Sequence, residues 1–274
     1  MRAGRAFAFF VRTEFRVCFE PCQGVFNQDA AARERAAPFF HCGAESHGNS
    51  KRGGKLGLVT GTVSLNGMTA DEDWQVDRLR EDGDPNHDSD IQRAVDKANK
   101  AREQGADVVA IAMHSVQECL DYADSWQISE AHELADTGAF DVIYGAGCHC
   151  AQPIENYNGT WIIYGLGNAV TESANTPETL VNNQGVTARI QFAGKKGVKG
   201  SWRVNRIDWV PTANVHQGNY QWCPISSDHP IGTCWDEAYD AQIRQRIWDV
   251  IYSMGADQNV VKEWNITQEQ AAKQ

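Results

Sequence analysis

The sequence predicts an α/β fold in which parallel strands are followed by antiparallel strands and a C-terminal helix. Three observations carry this expectation. Two continuous apolar runs, 106–113 (ADVVAIAM) and 140–145 (FDVIYG), have the length of strands buried on both faces. Each follows an amphipathic helical stretch across a glycine-containing turn, the alternation that builds a parallel sheet. Beyond residue 183 the pattern changes to apolar and polar residues in alternation, as in antiparallel strands.

The elements follow in order. Regularity begins at 55–67 (KLGLVTGTVSLNG), a β-branched, apolar strand ending in the turn signal Asn66-Gly67. The acidic stretch 71–86 is a surface excursion with Trp74 as its anchor. Over 90–104, Ile91, Ala94, Val95 and Ala98 share one helical face, with Asp90 as N-cap and Gly105 as the stop. A second helix covers 126–136 and closes at Thr137-Gly138; WIIY, 161–164, is a third buried strand. The segments 186–192 and 201–210 make an antiparallel pair with one face to water. A final helix, 236–252, turns Ile243, Ile247, Trp248 and Ile251 inward.

Charge and composition narrow the function. The chain of 274 residues carries 25 Lys and Arg against 36 Asp and Glu, a net charge of −11, which excludes a nucleic-acid backbone as partner. No apolar stretch approaches the ~20 residues of a transmembrane helix. The N-terminal apolar run 6–11 is shorter than a secretory core of about 7–15 residues and is followed at once by Arg12, so no signal peptide is expected. Residues 1–54 lack periodicity apart from a helical stretch at 30–37, and read as a divergent, poorly ordered leader. Residues 55–210 then form the α/β domain and 211–274 a C-terminal extension with its helix. Eight cysteines contain no pair of CxxC elements, so a zinc ribbon is excluded in its usual form. Cys223 and Cys234 flank a loop with Pro, Ser and Gly and can close a disulfide where the compartment oxidises.

In open parallel sheets, ligands bind beyond the carboxyl ends of the strands. Three such ends here carry polar or small groups: His114 with Glu118 four residues on; the run Gly147-Cys148-His149-Cys150-Ala151-Gln152-Pro153; and Gly165-Leu166-Gly167-Asn168. Neighbouring strands would bring His114 and His149 together as half of a metal site, since imidazole suits zinc, iron and similar ions.

The ordered series SLNG (64–67), Trp74, GADVVAIAMHSVQE (105–118), Trp126-Gln127, ADTGAFDVIYGAGCHCAQPIE (135–155) and GTWIIYGLGNAV (159–170) resembles the CapA family, over 55–171. These are bacterial capsule or poly-γ-glutamate synthesis proteins. The resemblance implies a calcineurin-like metallophosphoesterase fold, an α/β/β/α sandwich. It also implies a divalent metal (Mn, Fe or Zn), the capsule or poly-γ-glutamate synthesis machinery as partner, and association with the cell envelope. By position, His114 matches the histidine of the family's HWG element and His149 the second histidine of its HPH element, both metal ligands. Glu118, Gly147, Gln152, Gly167 and Asn168 fall on the framework of the site.

The departures are equally specific. Gly147 stands where the first histidine of HPH is expected, and Cys148 and Cys150 replace a Pro-like and a Val-like residue. If the segment is extended, Cys148 points away from the side shared by positions 147 and 149. Ser115-Val116 replaces Trp-Gly. The family's aspartate-bearing strand end and Asn-Asn-His element are not found in 1–54, so the resemblance is to a C-terminal portion alone, with the N-terminal half missing. It implies a degenerate metal site and a weak phosphoesterase or none. Two alternatives stand beside this: a non-catalytic or truncated remnant with a binding or structural role, and a single-metal site in which Cys148 or Cys150 joins the two histidines.

Overall fold

The structure, a computed structural model, describes residues 7–11, 39–41, 55–65, 67–114, 117–169, 171, 181–194, 198, 200–217, 219–225 and 234–264. The elements are β1 (Phe7–Val11), β2 (Phe39–His41), β3 (Lys55–Thr62), α1 (His87–Glu103), β4 (Val108–His114), α2 (Ser125–Asp136), β5 (Val142–Ala146), β6 (Ile154–Tyr157) and β7 (Thr160–Ile163). They continue with β8 (Gln184–Ala193), β9 (Arg203–Gln217), β10 (Asn219–Pro224), α3 (Glu237–Tyr252) and β11 (Val261–Glu263). The leader lies outside the described residues except for β1 and β2, as do the helical stretch at 30–37, Asn66 and Ser115-Val116.

The fold is α/β. One sheet runs β2-β3-β4-β5-β7-β6, with β3, β4, β5 and β7 parallel and the two edge strands antiparallel. The other runs β1-β8-β9-β10, all antiparallel, with β11 alongside β9 in parallel. The apolar run of β4 is buried over its first six residues. Val109, Ile111 and Met113 pack under α1 and α2 with Ile91, Ala94, Ala131 and Leu134. Val108, Ala110 and Ala112 enter a second core shared with Ala188, Ile190 and Ile207 of the antiparallel sheet and Ile243, Ile247 and Ile251 of α3. Small residues let α1 approach closely: a Cβ on Gly57 would lie 2.8 Å from that of Ala101. β9 passes through residue 210 without a break, and β10, β11 and α3 pack around it.

Several local expectations are corrected. Helix α1 begins at His87 with Asn86 as N-cap, so Asp90 lies inside the helix. Its buried carboxylate instead accepts from the Arg80 amide at 3.1 Å, Arg80 Nη1 at 3.0 Å and Arg93 Nη1 at 2.8 Å. The partner Arg80 comes from the preceding excursion, which periodicity does not link to the helix. Trp74 is 57% exposed and does not anchor that excursion; Leu79, 1% exposed, does, with its amide on Thr62 O at 2.9 Å. The face expected to meet water is only partly open: Arg206 is 40% exposed and Thr187 and Gln191 are half-buried. It also carries the buried pair Arg189–Asp208, and Trp264 lies over the Arg189 guanidinium at 4.4 Å. Trp248 of α3 is only partly buried, unlike the three isoleucines.

Candidate functional site

The carboxyl ends of β3, β4 and β5 meet in register, Thr62 beside His114 and His114 beside Ala146. His114 closes β4 half-buried. Thr62 donates its hydroxyl hydrogen to Ser64 O at 2.7 Å, so its oxygen is left to accept from His114 Nδ1, 3.0 Å away. That arrangement leaves the lone pair on Nε2. Burial lowers the His114 imidazole, the neighbouring His149 lowers it further, and Glu118 opposes them. His114 is therefore held as the neutral form that ligates metals.

His149 follows β5 in a bend, not in the extended conformation on which the side-chain alternation depended. Gly147 has φ 96° and His149 φ 61°, both left-handed. Such a backbone is uncommon for a histidine and costs of order 1–3 kcal/mol. What holds it is the ring. Asn168 donates its amide to Asn182 O at 3.0 Å, so its Oδ1 faces His149 Nδ1 at 2.8 Å and accepts from it. The other ring nitrogen, Nε2, is 3.8 Å from Glu118 Oε1, and both side chains are open to solvent at 42% and 53%. Both histidines thus use Nδ1 for a protein partner and present Nε2, the arrangement seen where outer hydrogen bonds orient a metal-ligating ring.

The remaining residues form the frame. Gln152 is fully buried; its amide donates to Leu120 O at 3.2 Å and Tyr122 O at 2.8 Å, and its Oε1 accepts from Gln127 Nε2 at 2.9 Å. It ties the 117–124 loop to α2 and β7. Gly167, at φ 70°, lies against Gln184 O, which a Cβ would approach to 2.6 Å. Gly147 supplies no side chain. Cys148 and Cys150 are buried, donate to Cys150 O at 3.1 Å and Asn182 Oδ1 at 3.2 Å, and burial pushes their thiols up to about 11 and about 12. Among the described residues, neither thiol lies in a group of three ligand atoms close enough to share an ion.

Sequence reasoning did not find the contribution of Thr62 or Asn182. It also missed a separate cluster. Among the described residues, one group of three His, Cys, Asp or Glu ligand atoms within 4.8 Å of one another occurs, at His87, Glu130 and Glu133 between α1 and α2. The i, i+3 spacing of Glu130 and Glu133 was legible; that His87 meets them was not. Cys223 and Cys234 are disulfide-bonded with Cα atoms 5.8 Å apart, joining β10 to the entry of α3.

The family model for the bacterial capsule synthesis protein PGA_cap matches residues 35–173. A curated relative, the PGA biosynthesis protein CapA of Bacillus subtilis (strain 168), is 36% identical over 103 residues, 38% of this chain. The chain spans about a quarter of that relative's length, 25%. The calcineurin-like phosphoesterase YfkN from Bacillus subtilis superposes with a TM-score of 0.38 at 14% identity, over 79% of this chain and 58% of that one. GAP50, the anchor in the inner membrane complex of Plasmodium, does so with a TM-score of 0.33 at 9% identity, over 84% and 62%. Structural likenesses at that level carry nothing about function.

Proposed function

Because the chain belongs to the bacterial capsule synthesis family PGA_cap, we propose that it serves the synthesis of a poly-γ-glutamate-type capsule through a strand-end site that holds at most one divalent ion. One observation carries this reading. His114 and His149 lie at the ends of neighbouring strands with Nδ1 of each ring held by a protein oxygen, Glu118 Oε1 lies 3.8 Å from His149 Nε2, and Gly147 stands where a further imidazole is expected. A two-metal phosphoesterase centre needs ligands for both ions and groups that clamp the attacking and leaving oxygens. This donor set does not fit a pair of metals, and no described cysteine makes up the difference. Among the described residues His114, His149 and Glu118 do not bring three ligand atoms within 4.8 Å of one another, so a single zinc, manganese or iron ion would be held by these side chains only after they close on it, and would there supply Lewis-acid polarisation of one oxygen. Asn168 and Thr62 orient the rings, and Gln152 keeps the loop in place.

A net charge of −11 makes the anionic polymer itself a poor ligand, which favours a role on the synthesis machinery over polymer binding. The Cys223–Cys234 bond suits an oxidising compartment and so an envelope location. Among the described residues no helix is long and apolar enough to cross a membrane. The test is complementation of a deletion strain: the unaltered gene should restore capsule polymer and His149→Ala, at normal protein level, should not. Full restoration by His149→Ala would show that the chain does not act through the strand-end site.

A further inference from the structure

We infer that His87, Glu130 and Glu133 form a second divalent-cation site, of the zinc class, which clamps the start of α1 to α2. The three side chains are placed for it by the packing of the two helices. His87 is the first residue of α1; Glu130 and Glu133 lie one turn apart on the same face of α2. His87 Nδ1 donates to Arg80 O at 2.6 Å, which directs Nε2 at Glu133 Oε2, 2.8 Å away. Glu130 Oε2 is 3.9 Å from Nδ1 of the same ring. One imidazole nitrogen and two carboxylates are ligands that zinc takes at about 2.0–2.2 Å, and the three side chains already offer ligand atoms within 4.8 Å of one another.

A second observation points to a ligand independently of the clustering. The Glu130 side chain is 1% exposed, and its Oε1 has no hydrogen-bonding partner among the described residues. A buried carboxylate with an unmatched oxygen is costly. Burial pushes this carboxyl up to about 8, and Glu133, Asp90 and Asp82 add to the rise, while His87 opposes it. The nearby guanidinium of Arg80 is directed to Asp90 instead. A divalent cation satisfies the open oxygen and takes the place of the proton that burial holds on this carboxyl. Glu133 is 43% exposed and gives the ion its route in from solvent. In the metal-free cluster, a proton on Glu130 and the proton between His87 Nε2 and Glu133 take the place of the ion, and binding near neutral pH releases both.

The test uses the full chain, stripped of metal and titrated with zinc, with cobalt(II) as a spectroscopic substitute. The unaltered protein should bind one equivalent that Glu130→Gln loses and His149→Ala retains. Glu130→Gln keeps the side-chain shape and puts no charge into the buried site, so it should fold, and circular dichroism checks that it does. The cobalt visible bands of this site should vanish in Glu130→Gln and in His87→Gln. Equal zinc equivalents in unaltered and Glu130→Gln protein would overturn the assignment, as would cobalt bands unchanged by both substitutions.

Discussion

At the residue scale, the strand-end site rests on a few positions where geometry permits one side chain and no other. Gly167 takes a left-handed backbone with Gln184 O against the place of a Cβ. Gly167→Ala should therefore cost about 1–3 kcal/mol or more, read as a lowered midpoint in chemical denaturation. The thiols make a second residue-scale prediction. Cys119 is exposed, whereas Cys148 and Cys150 are buried with thiols raised by burial to about 11 and about 12. A thiolate reagent at pH 8 should modify Cys119 in the native protein and spare the other two, located by peptide mapping. Modification of Cys148 at the rate of Cys119 would show that the thiols are not held as described.

At the element scale, the antiparallel sheet carries its polarity inside. Asp208 accepts from Arg189 Nε at 2.9 Å, Arg189 Nη2 at 2.7 Å and Gln191 Nε2 at 2.7 Å, and is also bonded by Arg206. Removing one partner of a buried pair leaves the other charge unmatched, so Asp208→Ala should cost about 3–5 kcal/mol. A loss under about 1 kcal/mol, the range of an exposed pair, would place the pair in solvent. The disulfide acts differently. It closes a short loop, separation 11, between β10 and α3. Cys223→Ser should then cost about 2–3 kcal/mol by the loop-entropy argument, read as a lowered unfolding midpoint under non-reducing conditions.

At the scale of the molecule, what could be read in the sequence depended on how far apart the partners lie. The runs that became β4 and β5 are apolar throughout because both faces of a central parallel strand are buried, and this alone placed His114 and His149 at adjacent strand ends. The family resemblance implies a framework place for Gln152, but its three hydrogen bonds to Leu120, Tyr122 and Gln127 are not legible in it. Alternation in β8 and β9 was legible, yet it suggested a wet face, because nothing in the pattern says that Arg189 and Asp208 satisfy each other and are then covered by Trp264. Asp90 looked like a cap for the same reason: its partner Arg80 lies in a stretch with no periodicity. The His87 cluster joins two helices separated by a whole strand, and only the packing of α1 and α2 on one sheet face brings it together.

The central claim, that the strand-end site cannot hold a metal pair, is tested most directly by metal stoichiometry. Purified full-length chain is loaded with manganese or zinc, freed of excess metal and analysed for bound ion, beside His114→Ala and His149→Ala. At most one equivalent should depend on these two histidines. Two equivalents, both lost on His149→Ala in a variant that remains folded, would contradict it.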